Sequence, residues 1–361
     1  MAKVAYIGCR TTRERNARGK GLKVCRVLDD GSFSEIQLME NMENPSYQCL
    51  DREKKFLYSV HGDAQEVSSF RILADGTLEY LNTVGNVGRN PVFITVDRTN
   101  RFLYAASLQG GCVNIMRRKE DGSAEEPFCK ANIPGKTENG ISHAHQCLWD
   151  NTETYLFVPT QGRGIGYGEV NVFKKKEDGM LEQTDRFYAR VLDEPRHGAI
   201  HPNNRFFYLI NERGNSVTFF LFDQEKGKLE AKQNVQLLPE TYVGEGQASA
   251  VLVHPSGKFL YGSNRIHNSI TTFGIDENTG YLKYIGNTSC LGKTPRFMTF
   301  SPDHRELIVA NEDSDDIRFF RINENTGELV YADKVFYTES PVCITFCELC
   351  GNNECEGGKR N

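Results

Sequence analysis

The segment EPRHGAIHPNNRFFYLINERGNSVTFFLFDQEKGKLE, residues 194–230, decides the fold. A short strand opens at Pro195, turns at HPNNR and returns through FFYLI around Tyr208, which by alternation and turn residues is a β-hairpin. Further on, EKGKL places Gly227 where a second hairpin closes, because glycine accepts the positive φ of such turns. Four strands in about 50 residues make one propeller blade.

The unit recurs along the chain. Tyr6, Tyr58, Tyr104, Phe157, Tyr208, Tyr261 and Ile308 mark seven second strands, and first strands open thirteen residues earlier at Pro45, Pro91, Ala144, Pro195, Ala248 and Pro295. A seventh first strand opens at Pro341 in PVCITFCEL, and steps between neighbouring openings run from 46 to 53 residues. Turn glycines follow at Gly31, Gly76, Gly122, Gly179, Gly227, Gly280 and Gly327. The Tyr6 strand has no first strand before it, and the Pro341 strand has nothing after it. The two sets interlock if the C-terminal strand completes the N-terminal blade, a ring with no free sheet edge. A solenoid would need capping repeats at both ends. The expectation is an all-β, seven-bladed propeller of four-stranded blades, one domain over residues 1–361 with a peripheral tail at about 350–361.

Composition narrows the partners. The 361 residues carry a net charge of −5 and no basic block, which argues against nucleic acid or an anionic membrane surface. No apolar run reaches the ~18–20 residues of a membrane span, and MAKVAYIGCR lacks the apolar core of a signal peptide. Eleven cysteines in a chain this long read as reduced thiols, so a cytoplasmic protein is expected. The 33 glycines, 22 phenylalanines and 15 tyrosines fit hairpin turns and blade packing.

In a blade the start of the first strand and the end of the second share one mouth of the central channel. The residues just after the first-strand landmarks are Ser46, Val92, His145, Arg196, Ser249, Arg296 and Val342. Those four past the second-strand landmarks are Arg10, Gly62, Leu108, Gln161, Glu212, Arg265 and Glu312. Blades distant in sequence thus aim His145, Arg196, Glu212, Arg265, Arg296 and Glu312 at one opening, with His143 and His197 flanking. One charged strand end is ordinarily just solvated. Convergence of arginines, carboxylates and histidines marks a site, and arginines there suit an anionic substrate.

The strings ISHAHQ (141–146), EPRHGAIHPNNRFFYLINE (194–212), HPSGKFLYGSNR (254–265) and TPRFMTFSPDHRELIVANEDSDDIRFFRINENTGEL (294–329) resemble the seven-bladed propeller lactonase family, which includes bacterial 6-phosphogluconolactonases, with fungal carboxy-muconate cyclases as relatives. The resemblance spans essentially the whole chain. It implies catalytic roles for His143 or His145, Arg196 and Glu212, and substrate contacts by His197 and Arg265. Arg296 and Gln161 join the substrate-binding set from their mouth positions. The implied reaction is cofactor-independent hydrolysis of a sugar-derived lactone, 6-phosphogluconolactone or a related aldonolactone, with no metal, and the base stays open among His143, His145 and Glu212. Two departures stand out: Ala250 replaces a frequent acidic residue, and QGRGIGYGEV (161–170) is an insertion on the mouth side. A muconate-type lactonizing cycloisomerase is the alternative reaction, and a non-enzymatic interaction scaffold the alternative class, though no WD-type signatures are present.

Other motifs carry less. QGRGIGYG contains G-x-G-x-G but runs into a strand, EVNVF, so the helix N-terminus of a nucleotide site is missing. Cys343, Cys347 and Cys350 have iron–sulfur-like spacing, but Cys343 falls in the closing strand; a zinc site from Cys347, Cys350 and Cys355 lacks an evident fourth ligand. His201 and His254 sit before prolines in turns at the far end, where structural roles are expected.

Overall fold

The structure, a computed structural model, describes residues 2–349. Within them seven antiparallel sheets form the blades of a ring. Blade 1 combines the C-terminal strand Pro341–Glu348, innermost, with Lys3–Cys9, Gly21–Val27 and Phe33–Glu40. Blades 2 to 7 occupy residues 45–84, 91–132, 143–188, 195–236, 248–289 and 295–337. Pairing of Lys3 with Glu348, through Ile7 with Ile344, closes the ring. The expected strand count and closure are both present.

Blade 4 departs from the plain hairpin. Its inner strand is two fragments, His143–Ala144 and Leu148–Trp149, each paired with Tyr155–Gln161. The break frees Gln146 to reach blade 5, where its side-chain oxygen accepts from the Gly198 amide at 2.6 Å.

The tyrosines of the repeat stitch neighbouring blades. Tyr6 donates its hydroxyl to the Gly76 carbonyl (3.0 Å), Tyr58 to Gly122 (2.8 Å), Tyr104 to Gly179 (2.7 Å), Tyr208 to Gly280 (2.8 Å) and Tyr261 to Gly327 (2.9 Å). Each bond runs from a second strand to the outer-hairpin turn of the next blade. In blade 4, where Phe157 holds the landmark, Tyr155 bonds Glu225 of blade 5 instead (3.2 Å). In blade 7, where Ile308 holds it, Lys334 donates to the Asp30 carbonyl of blade 1 at 2.9 Å. All five tyrosines are fully buried, so each hydroxyl needs a partner and each turn supplies one. Apolar side chains from adjacent blades fill the wedges between, as Phe206, Tyr208 and Phe219 of blade 5 pack with Leu260 and Phe273 of blade 6.

Tyr208→Phe leaves the Gly280 carbonyl buried without its donor, a cost of about 1–3 kcal/mol, and is expected to lower the urea midpoint at unchanged slope. Gly280→Ala is expected to lower it further, because φ there is +81° and a Cβ would stand 2.3 Å from the Phe219 ring. An unchanged midpoint in Tyr208→Phe would show that the stitch adds no stability.

Candidate active site

The mouth is built by a bulge repeated in the inner strands. Pairing slips by one residue between Pro45 and Tyr47, Pro91 and Phe93, Pro195 and His197, and Pro295 and Phe297. In a regular strand neighbours face opposite sides; an unpaired extra residue re-aims them. Consecutive residues therefore both line the cavity: Arg196 with His197, Arg296 with Phe297, Ser46 with Tyr47. The residue before each opening proline has a left-handed φ: Asn44 +39°, Asn90 +56°, Glu194 +53°, Thr294 +61° and Ser340 +46°. Asparagine takes this conformation readily, whereas Glu194 and β-branched Thr294 hold it under strain. Their carbonyls accept the amides of the mouth residues: Glu194 from Glu212 (2.8 Å), Thr294 from Glu312 (3.0 Å) and Ser340 from Arg10 (2.9 Å). The strain thus fixes the side chains that face the channel.

Within the mouth lies a cavity of about 220 Å³. That suits a ligand smaller than the drug-sized molecules held by pockets of about 300–1,000 Å³. His145, Arg196, His197, Glu212, Arg265 and Arg296 all line it. Glu212 is the hub. Its Oε1 lies 3.0 Å from Arg265 Nη2 and accepts from Gln247 Nε2 at 2.9 Å; its Oε2 lies 3.3 Å from Arg196 Nε and accepts from Gln161 Nε2 at 2.9 Å. Burial alone would raise its carboxyl, but Arg265 and Arg196 outweigh burial and hold it at about 2. Glu212 is therefore ionised at any working pH. Just before it, Asn211 donates to Ser216 (3.0 Å) and Thr218 (3.0 Å), locking the hairpin, and Asn264 does the same before Arg265.

The two mouth histidines are neutral. Burial first, then the charge of Arg196, presses His145 and His197 well below the usual imidazole value. Their rings meet edge to face at 5.0 Å. His197 also meets Tyr47 and Phe93 edge-on, at 6.5 and 5.9 Å. His145 Nδ1 is buried with no hydrogen-bond partner in the protein, while the residue itself lines the cavity. Arg196 donates to the Ser249 carbonyl at 2.7 Å, fixing its head beside both histidines.

Two residues of the sequence-based set do not face the cavity. His143 is buried at the mouth's edge, where its Nδ1 lies 3.1 Å from the Gln161 carbonyl. Gln161 stands behind Glu212 rather than beside a ligand. Gly166 of the insertion after Gln161 packs against Ile141 and Ser142 and encloses that strand end. Conversely, Arg10, Arg15, Arg163 and Gln247 line the cavity. Arg10 and Gln161 share a register position, but Arg15 and Arg163 stand on loop insertions outside any register. Arg163 Nε reaches Gln161 Oε1 at 2.9 Å, and its amide is held by the Glu194 carboxylate at 2.9 Å.

A larger, open groove of about 1300 Å³ lies at the opposite end, along the seam of blades 7 and 1. Its charges are interspersed in sign and partly paired, as in Lys334–Glu306 at 2.7 Å, and it has no histidine. Its size does not make it the reactive centre. Among the described residues no three His, Cys, Asp or Glu side chains are grouped as metal ligands; Cys350 and Cys355 lie outside the described residues. No helix among the described residues is long and apolar enough to cross a membrane. His201 and His254 bond turn carbonyls of the next blade, Gly257 (2.9 Å) and His304 (3.0 Å), far from the mouth.

The family model described as Lactonase, 7-bladed beta-propeller, matches residues 4–346. The chain is 28% identical over 321 residues to a 6-phosphogluconolactonase of Bacillus subtilis, covering 87% of this chain and 90% of that one. It is 28% identical over 317 residues to a 6-phosphogluconolactonase of Formosa agariphila, covering 82% and 87%. The periplasmic gluconolactonase of Pseudomonas aeruginosa has the same fold, with a TM-score of 0.87 at 23% identity, covering 97% of this chain and all of that one.

Glu212→Gln keeps the shape of the hub and removes its charge, leaving Arg196 and Arg265 buried without a counter-ion. Breaking a buried pair in this way costs about 3–5 kcal/mol, read as a lower denaturation midpoint. Stability equal to the parent protein would show that the carboxylate is not the ionised centre of the cluster.

Proposed function

Because the chain belongs to the seven-bladed β-propeller lactonase family and is a lactone hydrolase, we propose that its substrate is a sugar-derived lactone, 6-phosphogluconolactone or a related aldonolactone. The observation that carries this reading is a neutral His145 beside arginines in the wall of a small, cation-lined cavity.

Lactone opening forms a bond from water oxygen to the ring carbonyl carbon and breaks the bond from that carbon to the ring oxygen. A base takes the water proton and returns it to the departing alkoxide. His145 fits this role better than Glu212. The imidazole is neutral and lines the cavity. Glu212 is drawn down to about 2 and already meets two guanidinium and two amide donors, so it is a feeble base. Its task is to orient Arg196 and Arg265, which sit where negative charge grows on the carbonyl oxygen. His143, which does not line the cavity, takes no part in the proton transfers.

A pH-stat panel of phosphorylated and plain aldonolactones, corrected for spontaneous opening, tests the substrate class. His145→Ala is expected to lower kcat by about 10²–10⁴-fold, the range for a general base, while His143→Ala is expected to stay within a few-fold of the parent. Bleaching of a conjugated dicarboxylate without lactone hydrolysis would favour the cycloisomerase instead. Because burial and Arg196 depress the His145 pKa, the imidazole remains unprotonated below the ordinary value of about 6.5. The acid limb of kcat/KM is therefore expected below pH 6.5; a limb at 6.5–7 would mean a solvent-exposed base.

A further inference from the structure

The residue before the opening proline does the same work ahead of three blades. Ahead of blade 2 the Asn44 side-chain oxygen accepts the Thr11 and Thr12 amides (2.8 and 3.2 Å), and ahead of blade 3 the Asn90 oxygen accepts the Asp63 amide (2.9 Å). Each reaches back to the connection between the second and third strands of the preceding blade. Ahead of blade 5 the residue is Glu194, and its carboxylate takes the Arg163 amide on both oxygens, at 2.9 and 3.2 Å. All three residues hold a left-handed φ, +39°, +56° and +53°. Asparagine enters that region readily and glutamate does not, so of the three only Glu194 bears strain. Strain of this kind persists where the surroundings over-determine it, and it gathers at functional positions.

Glu194 differs from the two asparagines in what it fastens. Thr11, Thr12 and Asp63 do not line the cavity, whereas Arg163 does. The bonds around it close into a circuit of four residues. Arg163 Nε donates to Gln161 Oε1 (2.9 Å), Gln161 Nε2 donates to Glu212 Oε2 (2.9 Å), and the Glu212 amide donates to the Glu194 carbonyl (2.8 Å). The Arg163 amide on the Glu194 carboxylate completes it. Glu194, itself buried, enters the circuit twice, through backbone and side chain, and ties the 161–168 connection of blade 4 to the hub of blade 5. The charges of Glu212 and Glu194 also favour the protonated Arg163 against burial. The far side of the connection is fixed independently, by Gly166 to Gly162 (2.6 Å), Lys136 to Ile165 (3.0 Å) and Tyr167 to Ser142 Oγ (3.0 Å). Loss of the carboxylate would therefore release Arg163 and leave the rest of the connection in place.

We propose that Glu194 is a positioning residue for the lactonase reaction: its carboxylate fixes Arg163 in the cavity wall and so sets how tightly the mouth holds substrate. Glu194 does not line the cavity, so it acts through Arg163 and not on the reacting atoms. A glycine here would relieve the strain and lose the tether, and the chain keeps the tether. The inference rests on the lactonase reading for its kinetic consequence, whereas the tether itself has a readout of its own.

Glu194→Gly is the decisive variant, since glycine keeps the left-handed φ and the carbonyl bond to Glu212 while removing the side chain. With the lactone that the parent protein opens fastest, KM is expected to rise about tenfold with kcat within a few-fold, as one charge-assisted contact is lost. The melting temperature is expected to hold, because relief of strain offsets the added freedom of the unfolded chain. Hydrogen exchange of the Arg163 amide is expected to accelerate by about tenfold or more. Glu194→Gln, which keeps an oxygen for that amide, is expected to recover most of the parent KM. In an Arg163→Ala background, Glu194→Gly is expected to add less than about twofold to KM, because the two residues act as a unit. An unchanged KM, unchanged exchange or a full tenfold addition in that background would each overturn the proposal, and so would an activity loss that merely tracks a lowered melting temperature. If the parent protein opens no lactone, the substrate reading fails and exchange alone decides the tether, faster exchange supporting it and unaltered exchange overturning it.

Discussion

Antiparallel pairing of Pro341–Glu348 with Lys3–Cys9 is the constraint on which the rest depends. Only a closed ring makes blade 7 the neighbour of blade 1, and only that brings Arg10 to within 3.0 Å of Glu312. The seam has its own apolar packing, with Ala5, Ile7 and Phe33 against Ile308, Ala310 and Phe319. It lacks the tyrosine stitch of the other junctions, and Lys334 bridges it instead through Asp30 and Glu306. Closure therefore rests on strand pairing and packing where elsewhere a buried hydroxyl contributes.

The second organising device is the bulge after the opening proline. It lets the inner strand present two consecutive side chains to the channel while the rest of the strand keeps its alternation. Arg196 and His197 share the mouth for this reason, and so do Arg296 and Phe297. The electrostatic consequence follows from position. Arginines crowd where water is scarce, carboxylates are drawn in to balance them, and the histidines beside them are kept neutral. One arrangement thus gives an ionised, well-anchored Glu212 and an uncharged His145.

Much of this was legible from spacing. A landmark every 46 to 53 residues gave the blade count, the closure and the register that aims Arg196, Glu212, Arg265 and Arg296 at one opening. Register fails where the backbone leaves it. His143 and His145 are two residues apart and so equivalent by alternation, yet only His145 reaches the cavity, because the inner strand of blade 4 breaks after Ala144. Arg15 and Arg163 had no register to be read from; each stands in the connection between the second and third strands of its blade. The one available signal was arginine within an unusually long mouth-side connection, RTTRERNARGK in blade 1 and QGRGIGYG in blade 4.

By itself, the sequence determined the architecture, because a repeated alternation of strand and turn can bury its apolar faces only by stacking like units until the ring closes. It also determined which residue types meet at the mouth, since the repeat transmits position from blade to blade. The tertiary structure alone decided the charge state of those groups and which of them line the cavity. The ionised state of Glu212, the neutrality of His145 and the pairing of Arg10 with Glu312 depend on distances between residues from 16 (Arg196 and Glu212) to 302 (Arg10 and Glu312) positions apart. Electrostatic energy depends on separation and burial, and neither is written in any local stretch of the chain.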